Sequence, residues 1–235
     1  MQMKYIVILC ESGVKKMSSI KNITASNSVP IDLAKRIGEK GVGIILVTMW
    51  LSYYDLKKDK IVMVDTDEDS ITVEWYAKIY NRWTEENRAA QINTRLIPYN
   101  QYPDNTLKKK KGKAPTIDFC FRAWDKNEGY FGAECKRLRS DQIPLIEEYV
   151  ENGVKRYTSG KYSSKSSASA MIGYVQQGKI VDIVELLKPI MSTANLEENL
   201  LRMILEKSPQ YRSRHIRDLD NQVITLYHLF FDFVA

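Results

Sequence analysis

The chain of 235 residues carries a formal net charge of +6, and 27% of its residues are charged and 44% hydrophobic. This balance is typical of a globular protein that can bury a sizeable core, and it argues against a disordered chain. The three cysteines, Cys10, Cys120 and Cys135, form no CxxC pair, and only two histidines occur, so we do not expect a zinc site. We expect buried, reduced thiols in a cytoplasmic protein without a secretory signal.

The first quarter of the chain carries no recognisable chemistry. Its pattern predicts a strand at residues 4–10, a short helix from Pro30 to Gly38 and a strand at 60–64. The apolar run from Val42 to Tyr54 is too short for a membrane span and predicts a buried element. We therefore expect residues 1–66 to be an accessory segment, either separate from or part of the same domain, and residues 67–235 to form the main domain.

Two helices are predicted next. The acidic cluster at 65–69 is typical of a helix N-terminus, and it lacks the glycine and distal glutamate of a calcium loop. Residues 71–83 place large apolar side chains at helical spacing, which indicates a core-facing helix. A second helix is predicted from Thr84 to Leu96, with Glu85 on its inward face. Glu85 is either a further metal ligand or water-positioning group, or a first-turn glutamate stabilised only by the helix dipole.

Lysines are concentrated in the segment 97–115, for which the prolines and glycine predict a loop. Such a run is usually a solvated surface, but this one comes directly before the strongest candidate site and could contact phosphates. The candidate phosphate-binding residues here are Lys108, Lys109, Lys110, Lys111 and Lys113.

Residues 115–138 form the stretch around which the chain is organised. Two apolar-rich strand patterns flank the turn-like residues 125–129 and predict a β-hairpin. Because side chains alternate between the faces of a strand, Glu134 and Lys136 share one face, and pairing can bring Asp118 to the same surface. The intervening residues, Phe119, Phe121, Ala123, Phe131, Ala133 and Cys135, then face the core.

The remaining chain alternates helices and strands. We predict helices at 141–157, 180–187 and 195–207, and strands at 171–175 and 223–233. The serine-rich stretch 158–169 is typical of a mobile loop whose serines could also clamp a substrate backbone. Arg156 and Lys161 lie near it and are further candidates for substrate binding. His215 and His228 are isolated in the sequence, and we expect both to be structural.

Asp118 and Glu134, together with the backbone carbonyl of Cys135, would supply the oxygen ligands that Mg²⁺ prefers. Lys136 beside them could orient or deprotonate an attacking water, or stabilise developing negative charge. This combination suits the hydrolysis of a phosphodiester, with Mn²⁺ as a substitute metal.

The same residues carry a resemblance to a known family. Asp118, followed by Glu134-Cys-Lys136 and then Arg-Leu, resembles the PD-(D/E)xK restriction-endonuclease-like nucleases. The resemblance implies that Asp118 and Glu134 bind Mg²⁺, that Lys136 serves the attacking water, and that Glu85 takes the place of a helical glutamate. It also implies an α/β fold with a central mixed β-sheet flanked by helices. Ile117 stands where the family motif has a proline, which is commonly absent in the superfamily, and Pro115 lies three positions before Asp118.

We therefore expect a metal-dependent nuclease that acts on nucleic acid, on DNA rather than RNA, with a role in restriction or phage defence by family analogy alone. The alternative is a catalytically inactive nuclease-like module that binds nucleic acid or a protein partner. We expect no membrane association, and the sequence leaves open a homodimer or an assembly with a partner protein.

Overall fold

A computed structural model describes residues 9–10, 13–14, 41–90, 96–104, 114–123, 129–191, 197–198 and 210–234. A small ladder pairs Leu9–Cys10 (β1) with Gly13–Val14 (β2). The main sheet contains Leu96–Pro103 (β3), Thr116–Ala123 (β4), Tyr130–Arg139 (β5), Ala168–Gln177 (β6), Glu197–Glu198 (β7), Gln210–Ile216 (β8) and Val223–Asp232 (β9).

The strands of the main sheet lie in the order β3-β4-β5-β6-β9-β8-β7. The pairs β5–β6 and β6–β9 are parallel, and the other pairs are antiparallel. The central strand β6 is buried on both faces, as expected where helices cover a sheet. The predicted mixed β-sheet is therefore confirmed.

Helices lie on both faces of this sheet. They are Gly41–Asp59 (α1), Glu68–Ala90 (α2), Ile143–Tyr149 (α3), Lys155–Thr158 (α4) and Ile180–Ile190 (α5). A π-helical turn, Val150–Val154, joins α3 to α4. One apolar core forms between α1, α2 and the sheet, and a second between the sheet and α3, the π-helical turn and α5. The predicted α/β fold is confirmed at this level.

Helix α1 belongs to the first of these cores. Nine of its apolar residues, including Val42, Trp50 and Leu56, are buried, and the ring of Tyr53 stacks on Phe231 of β9 with 4.5 Å between centroids. The Tyr53 hydroxyl also donates a hydrogen bond to the carbonyl of Asp232. Residues 41–59 therefore share a core with the sheet, and the prediction of a buried element is confirmed. Within the described residues, no helix is long and apolar enough to cross a membrane.

The stretches 60–64 and 96–103, both before the hairpin, do not have the predicted structure. Residues 60–64 form an irregular connection instead of a strand, and their apolar side chains at Ile61, Met63 and Val64 are exposed. Residues 96–103 form β3 instead of a loop. Their prolines are tolerated because β3 is the edge strand of the sheet, and one side of its backbone pairs with no neighbouring strand.

The C-terminal half departs from expectation in one region. Glu197–Glu198 pairs with β8 as a short strand, which contradicts a continuous helix over 195–207, and β8 itself was not predicted. The helices near 143–158 and 180–190 and the strands β6 and β9 are confirmed. The predicted helix at 30–38 and most of the predicted strand at 4–10 lie outside the described residues.

Candidate functional site

Strands β4 and β5 pair as the predicted hairpin, although its turn lies outside the described residues. The paired residues run from Arg122 opposite Tyr130 to Phe119 opposite Ala133. Extending this register places Asp118 opposite Glu134, on the face away from Phe119 and Ala133. Five of the six predicted core residues are confirmed as buried: Phe119, Phe121, Phe131, Ala133 and Cys135.

Asp118 lies where the hydrogen-bonded ladder between β4 and β5 ends. Its Oδ2 accepts a hydrogen bond of 2.6 Å from the backbone N–H of Cys135. The N–H of Cys135 follows the last paired residue of β5, so it bonds to the Asp118 side chain instead of to the backbone of β4. The two strands separate here, and the carboxylate of Asp118 reaches the backbone between Glu134 and Lys136.

Glu134 and Lys136 lie on β5 and are almost completely buried, with 1% and 6% of their surfaces exposed. Lys136 Nζ lies 3.4 Å from Glu134 Oε1 and donates a hydrogen bond of 2.7 Å to the carbonyl of Cys135. The three residues that the sequence singled out are therefore neighbours in the structure.

Glu68 is a member of this cluster that the sequence did not reveal. It is the first residue of α2, and its Oε1 lies 2.6 Å from Lys136 Nζ. Its Oε2 accepts a hydrogen bond of 3.1 Å from the backbone N–H of Arg137. The neighbouring Asp67 caps the helix by accepting bonds from the amide and hydroxyl of Ser70, as the acidic cluster predicted.

Glu85 does not join the cluster. Thr84 begins no second helix, because α2 is one continuous helix that includes both Glu68 and Glu85. At the rise of an α-helix, Glu85 is about 25 Å further along the axis than Glu68. Its side chain is exposed, so the prediction of an inward-facing first-turn residue is wrong.

Arg156 reaches the carboxylate cluster from the end of the helical segment that follows β5. Its Nη1 donates hydrogen bonds of 2.7 Å to Glu134 Oε1 and to the hydroxyl of Tyr162. The Tyr162 hydroxyl in turn donates to the carbonyl of Thr116 at the start of β4. Lys161 is exposed and lies 6.0 Å from the ring of Tyr162. Of the predicted substrate-binding residues, Lys108, Lys109, Lys110, Lys111 and Lys113 lie outside the described residues.

The serine-rich loop has a structural role at several of its positions. Ser163, Ser166 and Ser169 are buried. The amide of Ser163 donates to Asp104 Oδ2, and the hydroxyl of Ser166 donates to the carbonyl of Tyr130. These hydrogen bonds hold the loop against the sheet, and the role of the loop in binding a substrate stays a prediction.

Burial sets the protonation of the two central carboxyls. It raises the pKa of Glu134 to about 8, with the charge of Asp118 adding to the effect and the charges of Lys136 and Arg156 opposing it. Burial likewise raises the pKa of Asp118 to about 6, against the opposing effects of Lys136 and the Cys135 amide. The protein environment thus disfavours negative charge at both groups.

At Lys136 the neighbouring charges together have a larger effect on the pKa than burial has. Burial alone would lower the pKa of its ammonium, but the charges of Glu134 and Glu68 outweigh burial and raise it above its usual range. The side chain is therefore held as a cation at neutral pH. This state suits the stabilisation of negative charge and does not suit proton abstraction from water.

Glu134 offers an observation that bears on cation binding. Its Oε2 is buried and accepts no hydrogen bond. A buried carboxylate oxygen without a donor is costly, and a cation would satisfy it. The described residues contain no group of three or more His, Cys, Asp or Glu side chains already arranged to hold a metal ion. Two carboxylates and a backbone carbonyl nevertheless fit Mg²⁺, which keeps several waters and rarely uses an all-protein cage.

The cysteines and histidines have structural surroundings. Cys120 and Cys135 are buried free thiols, and burial raises the pKa of both. His228 is fully buried, and its ring nitrogens contact the hydroxyls of Tyr149 and Ser213. His215 lies next to the same Ser213 hydroxyl. These contacts confirm that the two histidines are satisfied within the fold.

Comparisons with known proteins do not extend this picture. No family model, no curated protein and no solved structure matches the chain. The resemblance to PD-(D/E)xK nucleases therefore rests on the sequence motif, and membership of that family remains a prediction.

Proposed function

We propose that this protein is a divalent-cation-dependent nuclease that hydrolyses phosphodiester bonds, with DNA as its substrate. The observation that carries the proposal is the convergence of Asp118, Glu134 and Lys136 where β4 separates from β5. Glu68 adds a fourth charged group from the N-terminus of α2. The proposal includes a restriction-endonuclease-like core and, by analogy alone, a role in restriction or phage defence.

Asp118, Glu134 and the carbonyl of Cys135 would hold Mg²⁺ or Mn²⁺. A cation bound there would supply Lewis-acid stabilisation of a phosphate and lower the pKa of a coordinated water. The unpartnered Oε2 of Glu134 supports this assignment, because a ligand there would satisfy a buried acceptor.

Lys136 and Arg156 would act on the substrate itself. Lys136 is a cation at neutral pH, because its pKa is raised, and it can stabilise an oxyanion as it develops on the phosphate. Arg156 holds Glu134 through Nη1, and its side chain is 28% exposed. The remaining guanidinium nitrogens can donate to a phosphate oxygen, a geometry that suits arginine better than lysine.

The test is cleavage of plasmid DNA, linear DNA and single-stranded RNA with Mg²⁺, with Mn²⁺ and with EDTA. The wild type should cleave DNA only with a divalent cation, and Asp118→Asn and Lys136→Gln should each lose at least about a hundredfold in rate. Lys155→Gln removes the same charge as Lys136→Gln from an exposed surface pair with Glu151, so it is the matched control. Cleavage that persists undiminished in both site variants would reject the assignment.

A second candidate function follows from the contacts of Lys136. The ammonium already pairs with the carboxyl groups of Glu68 and Glu134, which favours a nuclease-like fold that is retained for binding nucleic acid without cleaving it. In that case DNA binding should be salt-sensitive, equal in the wild type and Asp118→Asn, and free of turnover.

A further inference from the structure

Lys136 has an unusual position relative to the oxygens proposed to bind a cation. Its ammonium lies 2.6 Å from Glu68 Oε1, 2.7 Å from the carbonyl oxygen of Cys135 and 3.4 Å from Glu134 Oε1. The contacts to Glu68 and Cys135 are hydrogen bonds, and the contact to Glu134 is a longer ion pair. The ammonium is thus surrounded by protein oxygens on β5 and α2.

We infer that Lys136 is the resident cation of this oxygen set, and that its ammonium must leave before a divalent cation binds. The inference rests on the proposed function, because it concerns the same carboxylates. Two of the three oxygens around the ammonium, from Cys135 and Glu134, belong to residues assigned to the metal. A magnesium-type ion bound to the Cys135 carbonyl and to the unpartnered Oε2 of Glu134 would lie next to the ammonium. The repulsion between these like charges disfavours the presence of both cations at once.

The side chain of Lys136 can make this movement. Four flexible methylene groups connect the ammonium to the backbone, so the charge can move while β5 stays in place. Within this set the ammonium alone neutralises Glu68 at short range, and its departure exposes that carboxylate to the incoming cation. Cation binding then frees the positive charge of Lys136 beside the proposed cation site, where it can contact a substrate phosphate, so cation binding and substrate binding are coupled.

The proposal predicts competition between Lys136 and a divalent cation. We would measure Mn²⁺ binding to the full chain by titration calorimetry, without nucleic acid. Lys136→Gln should bind Mn²⁺ about tenfold more tightly than the wild type, because no ion pair has to be broken. Lys155→Gln should bind like the wild type, since Lys155 pairs with Glu151 on the surface. Unchanged or weaker binding by Lys136→Gln would overturn the inference.

Mn²⁺ binding by two further variants distinguishes a failure of this inference from a failure of the proposed function. If Glu134→Gln and Asp118→Asn bind Mn²⁺ as tightly as the wild type, the cation site itself is wrong, and the inference is overturned with it. If both variants lose Mn²⁺ and Lys136→Gln gains no affinity, the site stands and only the displacement of Lys136 is rejected.

A measurement on the wild type keeps the test independent of whether Lys136→Gln folds. Lysine acylation followed by mass spectrometry reports how accessible each amine is. Lys136 should react slowly without a divalent cation, because its side chain is only 8% exposed, and faster with Ca²⁺ or Mg²⁺. Lys155, which is 58% exposed, should react equally in both conditions. A rate for Lys136 that does not rise with the cation contradicts the displacement.

Discussion

The pH dependence of stability offers a quantitative test of the buried carboxylates. In the folded protein the pKa of Glu134 is raised to about 8 from 4.5. The folded state therefore holds a proton that the unfolded state has released. The resulting stability is fully present below pH 4.5 and is lost as the pH rises through 8. Without a divalent cation, the free energy of unfolding should fall as the solution becomes alkaline.

The size of the effect follows from the shift. Each pH unit between the two pKa values corresponds to about 1.4 kcal/mol, so Glu134 should account for a loss of about 4 kcal/mol between pH 5 and pH 9. Asp118, whose pKa is raised to about 6, adds a smaller loss that is nearly complete by pH 7. The interval from pH 7 to pH 9 therefore isolates Glu134, for which we expect about 1.4 kcal/mol.

The assay is urea unfolding in EDTA at pH 5, 7 and 9, followed by the fluorescence of buried tryptophans such as Trp75 and Trp83. Glu134→Gln removes the titrating proton while nearly conserving volume. Its stability relative to the wild type should rise with pH, and excess Mg²⁺ should restore the wild type at pH 9. A difference between the two proteins that stays constant from pH 5 to pH 9 would refute the reasoning.

Three further substitutions test individual contacts. Glu68→Gln removes a charged partner of Lys136 and should lower the unfolding free energy by about 1–3 kcal/mol and reduce cleavage, whereas the exposed Glu85→Gln should change neither. Asp67→Ala removes the cap that Ser70 contacts and should cost about 1 kcal/mol in urea unfolding. Arg156→Gln should weaken DNA binding and reduce the slope of log K against log salt by about one phosphate contact. If Arg156→Gln has the same slope of log K against log salt as the wild type, Arg156 does not contact a phosphate.

The local part of the candidate site was predictable from the sequence. Asp118 and Glu134 belong to two strands joined by a short connection, so strand alternation and antiparallel pairing suffice to bring them together. The predicted core residues Phe119, Phe121, Phe131, Ala133 and Cys135 are buried for the same reason. Nothing comparable links Glu68 to Lys136, because they are far apart in the chain and meet only when α2 packs on the sheet.

The predictions that were wrong, for residues 96–103 and for Glu85, also have physical explanations. Pro98 and Pro103 indicated a loop, but an edge strand tolerates prolines because one side of its backbone pairs with no neighbour. Glu85 shares a helix with Glu68, and the sequence placed a boundary at Thr84 where the helix continues. Acidic residues before a helix predict a cap, and they do not reveal which carboxylate will turn towards the sheet instead.

The most direct test of the central claim is the position of Mn²⁺ in a crystal of the full chain, located by anomalous scattering. The claim predicts a peak within about 2.3 Å of oxygens from Asp118, Glu134 and Cys135, with the ammonium of Lys136 moved away from the Cys135 carbonyl. A well-occupied Mn²⁺ elsewhere in the protein, with Lys136 still bound to Glu68 and Cys135, would contradict it.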